Sequence, residues 1–204
     1  MKLIALDLSC HRCGVSIFDE NEIVIERFSI TPDNALPNFL KIKFIVDTLC
    51  SKFKEVDDCI VEDIFLAIYP GCASNVGGFA LLARLSGAVI NEWLNIHDKI
   101  PVLFKATEAR KLAGIKGNCQ KAEVQCFIAR RFNLATEEQL DTFESMIEAE
   151  NAQLIEGEFT KATWKKHMQQ ISTYIEGEIE LGEDESDSLL LGISWFRAKE
   201  QGRV

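Results

Sequence analysis

The chain has 204 residues, 47% of them hydrophobic and 26% charged, and carries a net charge of −10. That length predicts a single soluble domain over 1–204 with room for a full core, and no apolar run approaches the ~20 residues of a membrane span. A balance this acidic excludes a general nucleic-acid binder, although a local basic surface is still open to it. The seven cysteines are odd in number and scattered, which predicts reduced thiols and an intracellular protein. Cys10, His11 and Cys13 contain the one C-x-x-C, with no second pair at matching spacing, so zinc is not expected.

The first strand is predicted over Leu3–Ser9, LIALDLS, an apolar run suited to burial on both faces. Asp7 interrupts it, and a carboxylate there calls for a cation or a hydrogen-bonding partner. A tight connection at 10–13 leads to a second strand, VSIFD. A turn at Glu20–Asn21 leads to a third, EIVIERFSI, completing an antiparallel meander. Helical periodicity covers Phe39–Phe53. CIVED, ending at Glu62, is a fourth strand, placed beside the first by a right-handed crossover. A loop is expected over 69–78, then a long helix over Phe79–Asn95, a fifth strand over Pro101–Phe104, and a short helix capped by Thr107 and stopped by Gly114. Further helices are expected over Gln120–Phe132, Leu140–Ile155, Thr163–Ile175 and from about Asp184 onward. The order resembles the ribonuclease H-like architecture: an α/β fold with a mixed five-stranded sheet, three strands antiparallel and two parallel, flanked by helices. A helical insertion over 135–182 precedes the last helix.

Charge is unevenly spread. Lys105–Arg131 holds seven basic and two acidic residues, whereas 135–182 holds eleven acidic residues and three lysines. Leu140, Phe143, Ile147 and Leu154 form one apolar stripe of the acidic segment, and Trp164, Met168, Ile171 and Ile175 another, which predicts a helical hairpin. Four acids stand out as possible ligands of divalent cations: Asp7 and Glu62 on strands, and Asp184 and Asp187 three apart on one helix face. Read singly, each could equally be structural, Asp7 as a hydrogen-bonded strand end and the helix pair as favourable charges at a helix N-terminus.

Four stretches together resemble the RuvC-type Holliday junction resolvases: LIALDLSCHRCGVSIFD, CIVEDIF, PVLFKATEARKLAGIKGNCQKAEVQCFI and DESDSLLLG. The resemblance covers 1–132 and 184 to the end. It implies a homodimeric, Mg²⁺- or Mn²⁺-dependent endodeoxyribonuclease that nicks four-way DNA junctions, with two ions per site held by Asp7, Glu62, Asp184 and Asp187. It assigns Arg110 and Lys121 to phosphates, with Lys121 near the scissile bond and so part of the catalytic set, and Lys116 of the same basic segment is a further expected phosphate contact. Phe65 would stack on bases at the junction centre. Leu8–Ser9 replaces the family's Pro-Gly, and 135–182 has no counterpart in the short bacterial enzymes. The first alters the local turn without removing a ligand, and the second suits a bacteriophage or viral relative, working in the cytoplasm of a bacterial cell or an infected host. The long helix from Phe79 to Trp93 is the expected dimer contact. Rival readings are a nuclease of the same fold acting on other branched DNA or structured RNA, and a non-catalytic junction-binding protein. A phosphotransferase of the actin-like ATPase superfamily would need two such domains, for which the chain is too short.

Overall fold

The structure is a computed structural model and describes residues 1–63 and 76–204. Its strands are β1 (Leu3–Asp7), β2 (Cys13–Phe18), β3 (Val24–Ile30), β4 (Asp58–Glu62) and β5 (Val102–Phe104). They form one sheet in the order β3-β2-β1-β4-β5. The meander pairs antiparallel, and β1–β4 and β4–β5 pair parallel, as the sequence predicts. The helices are α1 (Asn38–Phe53), α2 (Val76–His97), α3 (Ala106–Ala113), α4 (Lys121–Arg131), α5 (Glu137–Ile155), α6 (Lys161–Ile179) and α7 (Glu183–Glu200). Two compact units result, one comprising 1–117 with 188–204 and the other 118–187.

In the first unit, strand alternation sorts the sheet into two faces. Ile4, Leu6, Val15, Ile17, Cys59 and Val61 pack with Ile45, Leu49 and Phe53 of α1 and Leu85, Val89 and Trp93 of α2. Phe53 meets Trp93 edge to face, with ring centroids 5.3 Å apart. The apolar residues of α2 expected at a dimer contact are therefore largely used inside this unit: Leu85, Val89 and Trp93 are fully buried. Exposed positions on the same helix include Ala83, Arg84, Gly87, Asn91 and Asn95.

The opposite face carries Leu3, Ala5 and Asp7 of β1, beside Phe18, Ser16 and Gly14 of β2. The part of α7 from Ser188 onward lies on this face. Ser188 and Ser16, both fully buried, share a hydrogen bond of 2.7 Å between their hydroxyls. One turn on, the backbone of Gly192 lies against Phe18, and a Cβ there would stand 2.1 Å from the ring. Phe196, a further turn on, meets Phe18 edge to face at 5.9 Å. The sequence interval of four repeats along one helix stripe, so α7 presents a hydroxyl, a gap and a ring in succession.

The short helix α3 departs from the sequence expectation at its start. Its N-cap is Lys105, with no side-chain cap bond, and Thr107 lies within the first turn. The end is as expected: Gly114 at φ 93° takes the left-handed conformation and its N–H returns to the last turn.

The second unit consists of α4, α5, α6 and the start of α7. It takes in α4 as well as the two helices of the acidic segment. Leu140, Phe143 and Ile147 of α5 are buried, as are Met168, Ile171 and Ile175 of α6. Phe143 and Tyr174 meet edge to face at 6.1 Å. Trp164 is only half buried, because its indole N–H reaches the Asn151 side chain at 3.1 Å rather than entering the core. Gln125 of α4, fully buried, donates to the Leu181 carbonyl at 3.1 Å and so ties α4 to the segment that enters α7.

Candidate functional site

Asp7 is the last residue of β1 and Glu62 the last of β4. The parallel ladder sets Ile4 beside Cys59 and Leu6 beside Val61. That is its last pair, and Asp7 and Glu62 follow it, one on each strand. Matched positions on parallel neighbours point to the same side, about 4.8 Å apart along the sheet. Because Leu6 and Val61 face α1 and α2, the two acids face the other way, toward the side on which Ser16 and Phe18 lie. Both are partly buried. Gly14, the β2 partner of Asp7, brings no side chain to that edge.

The basic segment divides between the two units. Arg110 lies in the last turn of α3, half buried, and Lys116 is exposed in the turn that follows. Gly117 fits closely there: a Cβ would stand 3.0 Å from the Thr107 carbonyl. Both basic residues belong to the first unit.

Lys121 opens α4 in the second unit, where the Gln120 N–H donates to the Glu123 carboxylate at 2.5 Å in a capping arrangement. Its ammonium lies 2.8 Å from Glu183 and 3.8 Å from Asp187. Asp184 stands in the opening turn of α7 and Asp187 three residues on, as their spacing predicts. Glu183 has a larger role than the sequence reading gave it. Its carboxylate accepts from the Lys121 ammonium, from the Ser172 hydroxyl at 2.8 Å and from the Gln169 amide. Burial alone would push this carboxyl up, but those three donors together with the charge of Lys121 outweigh it and hold the group below its ordinary value. The available signal was the run GEDESD itself, in which Glu183 directly precedes the first candidate ligand. Phe65 and residues 69–75 of the expected loop lie outside the described residues, and its last three residues, 76–78, instead begin α2.

The donor chemistry of the four acids suits Mg²⁺ or Mn²⁺, which take hard carboxylate oxygens. Among the described residues, no group of three or more His, Cys, Asp or Glu side chains is gathered as a metal-ligand set. Cys10 and Cys13 are both buried. Among the described residues no helix is long and apolar enough to cross a membrane.

A mixed five-stranded sheet in this order and register defines the ribonuclease H-like fold class. Within that class the chain is similar to two structures of Thermus thermophilus RuvC. One matches at 12% identity and TM-score 0.59, covering 100% of this chain and 98% of the other. The second, T. thermophilus RuvC in complex with Holliday junction substrate, matches at 9% identity and TM-score 0.59, covering 100% and 97%. No family model and no curated protein matches the sequence. The similarity is one of fold, at a distance where sequence identity alone carries little.

Proposed function

We propose that the protein is a divalent-metal-dependent endonuclease that cuts branched DNA, with the four-way junction as its principal substrate. The observation that supports this reading is the parallel β1–β4 ladder, whose last pair is Leu6 with Val61, one residue before Asp7 and Glu62 on each strand. The fold agrees with it, being that of a protein solved on a Holliday junction. Asp7, Glu62, Asp184 and Asp187 would hold one or two Mg²⁺ or Mn²⁺ ions. Such ions, when bound, supply an activated water and offset charge on the leaving oxygen. The chain's own part is to bind and orient the DNA. Arg110 and Lys116 would take backbone phosphates, and Lys121 would hold the scissile phosphate as a catalytic cation. Phe65 would stack against a base at the branch. We further propose that the protein acts as a homodimer in the cytoplasm, one protomer for each of two opposed strands.

The test is cleavage of a synthetic four-way junction by purified protein with Mg²⁺, against duplex, flap and structured-RNA controls, for the wild type and Asp7→Asn. The expected result is nicking of the junction by the wild type. Asp7→Asn should lose at least ~10³ in rate, about 4 kcal/mol of transition-state stabilisation, while still binding the junction. Preferential cutting of flaps or RNA would transfer the same acids to another branched substrate. Asp7→Asn cutting at the wild-type rate would remove Asp7 from the site.

A further inference from the structure

Glu183 joins three elements of the second unit, and the two oxygens of its carboxylate have separate tasks. Oε2 receives the Lys121 ammonium from α4 at 2.8 Å. Oε1 receives the Ser172 hydroxyl at 2.8 Å, and the Gln169 amide as well, both from α6. Lys121 also reaches Asp187, but at 3.8 Å, so the shorter and stronger hold on its ammonium is Glu183. Ser172 is fully buried, and its hydroxyl needs the acceptor that Glu183 supplies. A lysine side chain has four rotatable bonds and by itself directs its charge poorly. Here a carboxylate anchored from the far side by α6 fixes where that charge stands.

We infer that Glu183 is a positioning residue for Lys121: braced by Ser172 and Gln169 of α6, it sets the ammonium beside Asp187. The acidic segment thereby has a role in the chemistry, because Ser172 and Gln169 of α6 supply the brace. This inference rests on the nuclease reading only for its consequence in rate. The arrangement of Lys121, Glu183 and Ser172 can be tested without any cleavage.

Two measurements decide it. The first is acylation of Lys121 by an amine-reactive ester in metal-free, DNA-free buffer, followed by peptide mass spectrometry. The ammonium held by Glu183 should react slowly in the wild type. Glu183→Gln should speed its labelling severalfold, while leaving Lys116 unchanged. The second is a double-mutant cycle on the single-turnover rate at saturating junction. Glu183→Gln should slow cleavage by about tenfold to a hundredfold with little change in junction affinity, as expected for a misplaced group. In the Lys121→Gln background the same change should cost almost nothing more, since Glu183 acts through that lysine. Glu183→Asp keeps the charge at the helix start but is one methylene too short to hold Lys121 and Ser172 together. It should fall between wild type and Glu183→Gln in both measurements, and it carries the test if Glu183→Gln does not fold. Unchanged labelling of Lys121, or rate losses that simply add, would overturn the inference. A wild-type protein that cuts no branched DNA would overturn the nuclease reading instead, and the labelling would still decide whether Glu183 holds Lys121.

Discussion

The sheet face that carries Asp7 and the cluster around Glu183 are held in place by different physics. On the sheet face, position comes from shape. Ser188 and Gly192 of α7 press onto Ser16 and Phe18, all in the dry interior of the first unit, and the β1–β4 ladder fixes which side each acid faces. Around Glu183, position comes from charge. One carboxylate answers an ammonium, a hydroxyl and an amide, and nearby in the same unit Arg130 holds Glu144 through two nitrogens, at 2.5 and 3.0 Å. The difference is one of tolerance. A close-packed face accepts little change in volume but is indifferent to salt and pH, whereas a charge cluster accepts changes of shape and responds to both. A single helix, α7, begins in the second setting and continues in the first.

The largest expected effect on that contrast is Gly192→Ala. A methyl group at this position would stand 2.1 Å from the ring of Phe18, which is itself fully buried and has nowhere to turn. The cost should be about 3 kcal/mol or more, at the upper end of overpacking penalties, read as a lowered midpoint in urea. Near-wild-type stability would show that α7 can lift from β2, and the claim that shape fixes this face would fail.

Next comes Ser188→Ala, which removes the partner of a buried hydroxyl on Ser16. A loss of ~1–3 kcal/mol is expected, and replacing both serines by alanine should cost less than the two single changes added together. Strict additivity would show that the hydroxyl pair is not what joins α7 to β2.

The smallest effect is a loss of stability at alkaline pH, to which a thiol in each unit contributes. Burial, aided by the neighbouring Glu144, pushes the Cys126 thiol up to about 11 from an ordinary 9.0. The folded protein therefore keeps this proton between pH 9.0 and about 11 while the unfolded chain gives it up. Stability should be fully present below pH 9 and decline across that window. Cys59 of β4 contributes in the same sense, its thiol raised by burial first and Asp58 second. Cys126→Ala should flatten part of the decline in melting temperature, and Cys59→Ala a separate part. If neither change alters the slope, thiol ionisation is not the cause.

Local pattern was enough to read most elements and to single out Asp7, Glu62, Asp184 and Asp187 as candidates. The strand run LIALD and the strand CIVE showed themselves by unbroken apolar content, and each ended in its acid. Asp184 and Asp187 share a turn because an i, i+3 spacing in a helix always does so. Gly114 stopped α3 because its φ of 93° suits a residue without a Cβ. These are properties of a few neighbouring residues, so the chain alone determines them.

What the tertiary structure decided depends on partners distant in sequence. That Asp7 and Glu62 share a face is a matter of register across 55 residues of chain, and a slip of one residue would turn one of them to the opposite side. That Thr107 does not cap α3 was settled by where the backbone leaves β5. The apolar residues of α2 read as a surplus until Trp93 and Leu85 were found buried against α1 and the sheet. Glu183 looked like one acid among several. Its significance came from Lys121, Gln169 and Ser172, brought from two other helices, because an ion pair or hydrogen bond has no sequence period and exists only where folding places its partners.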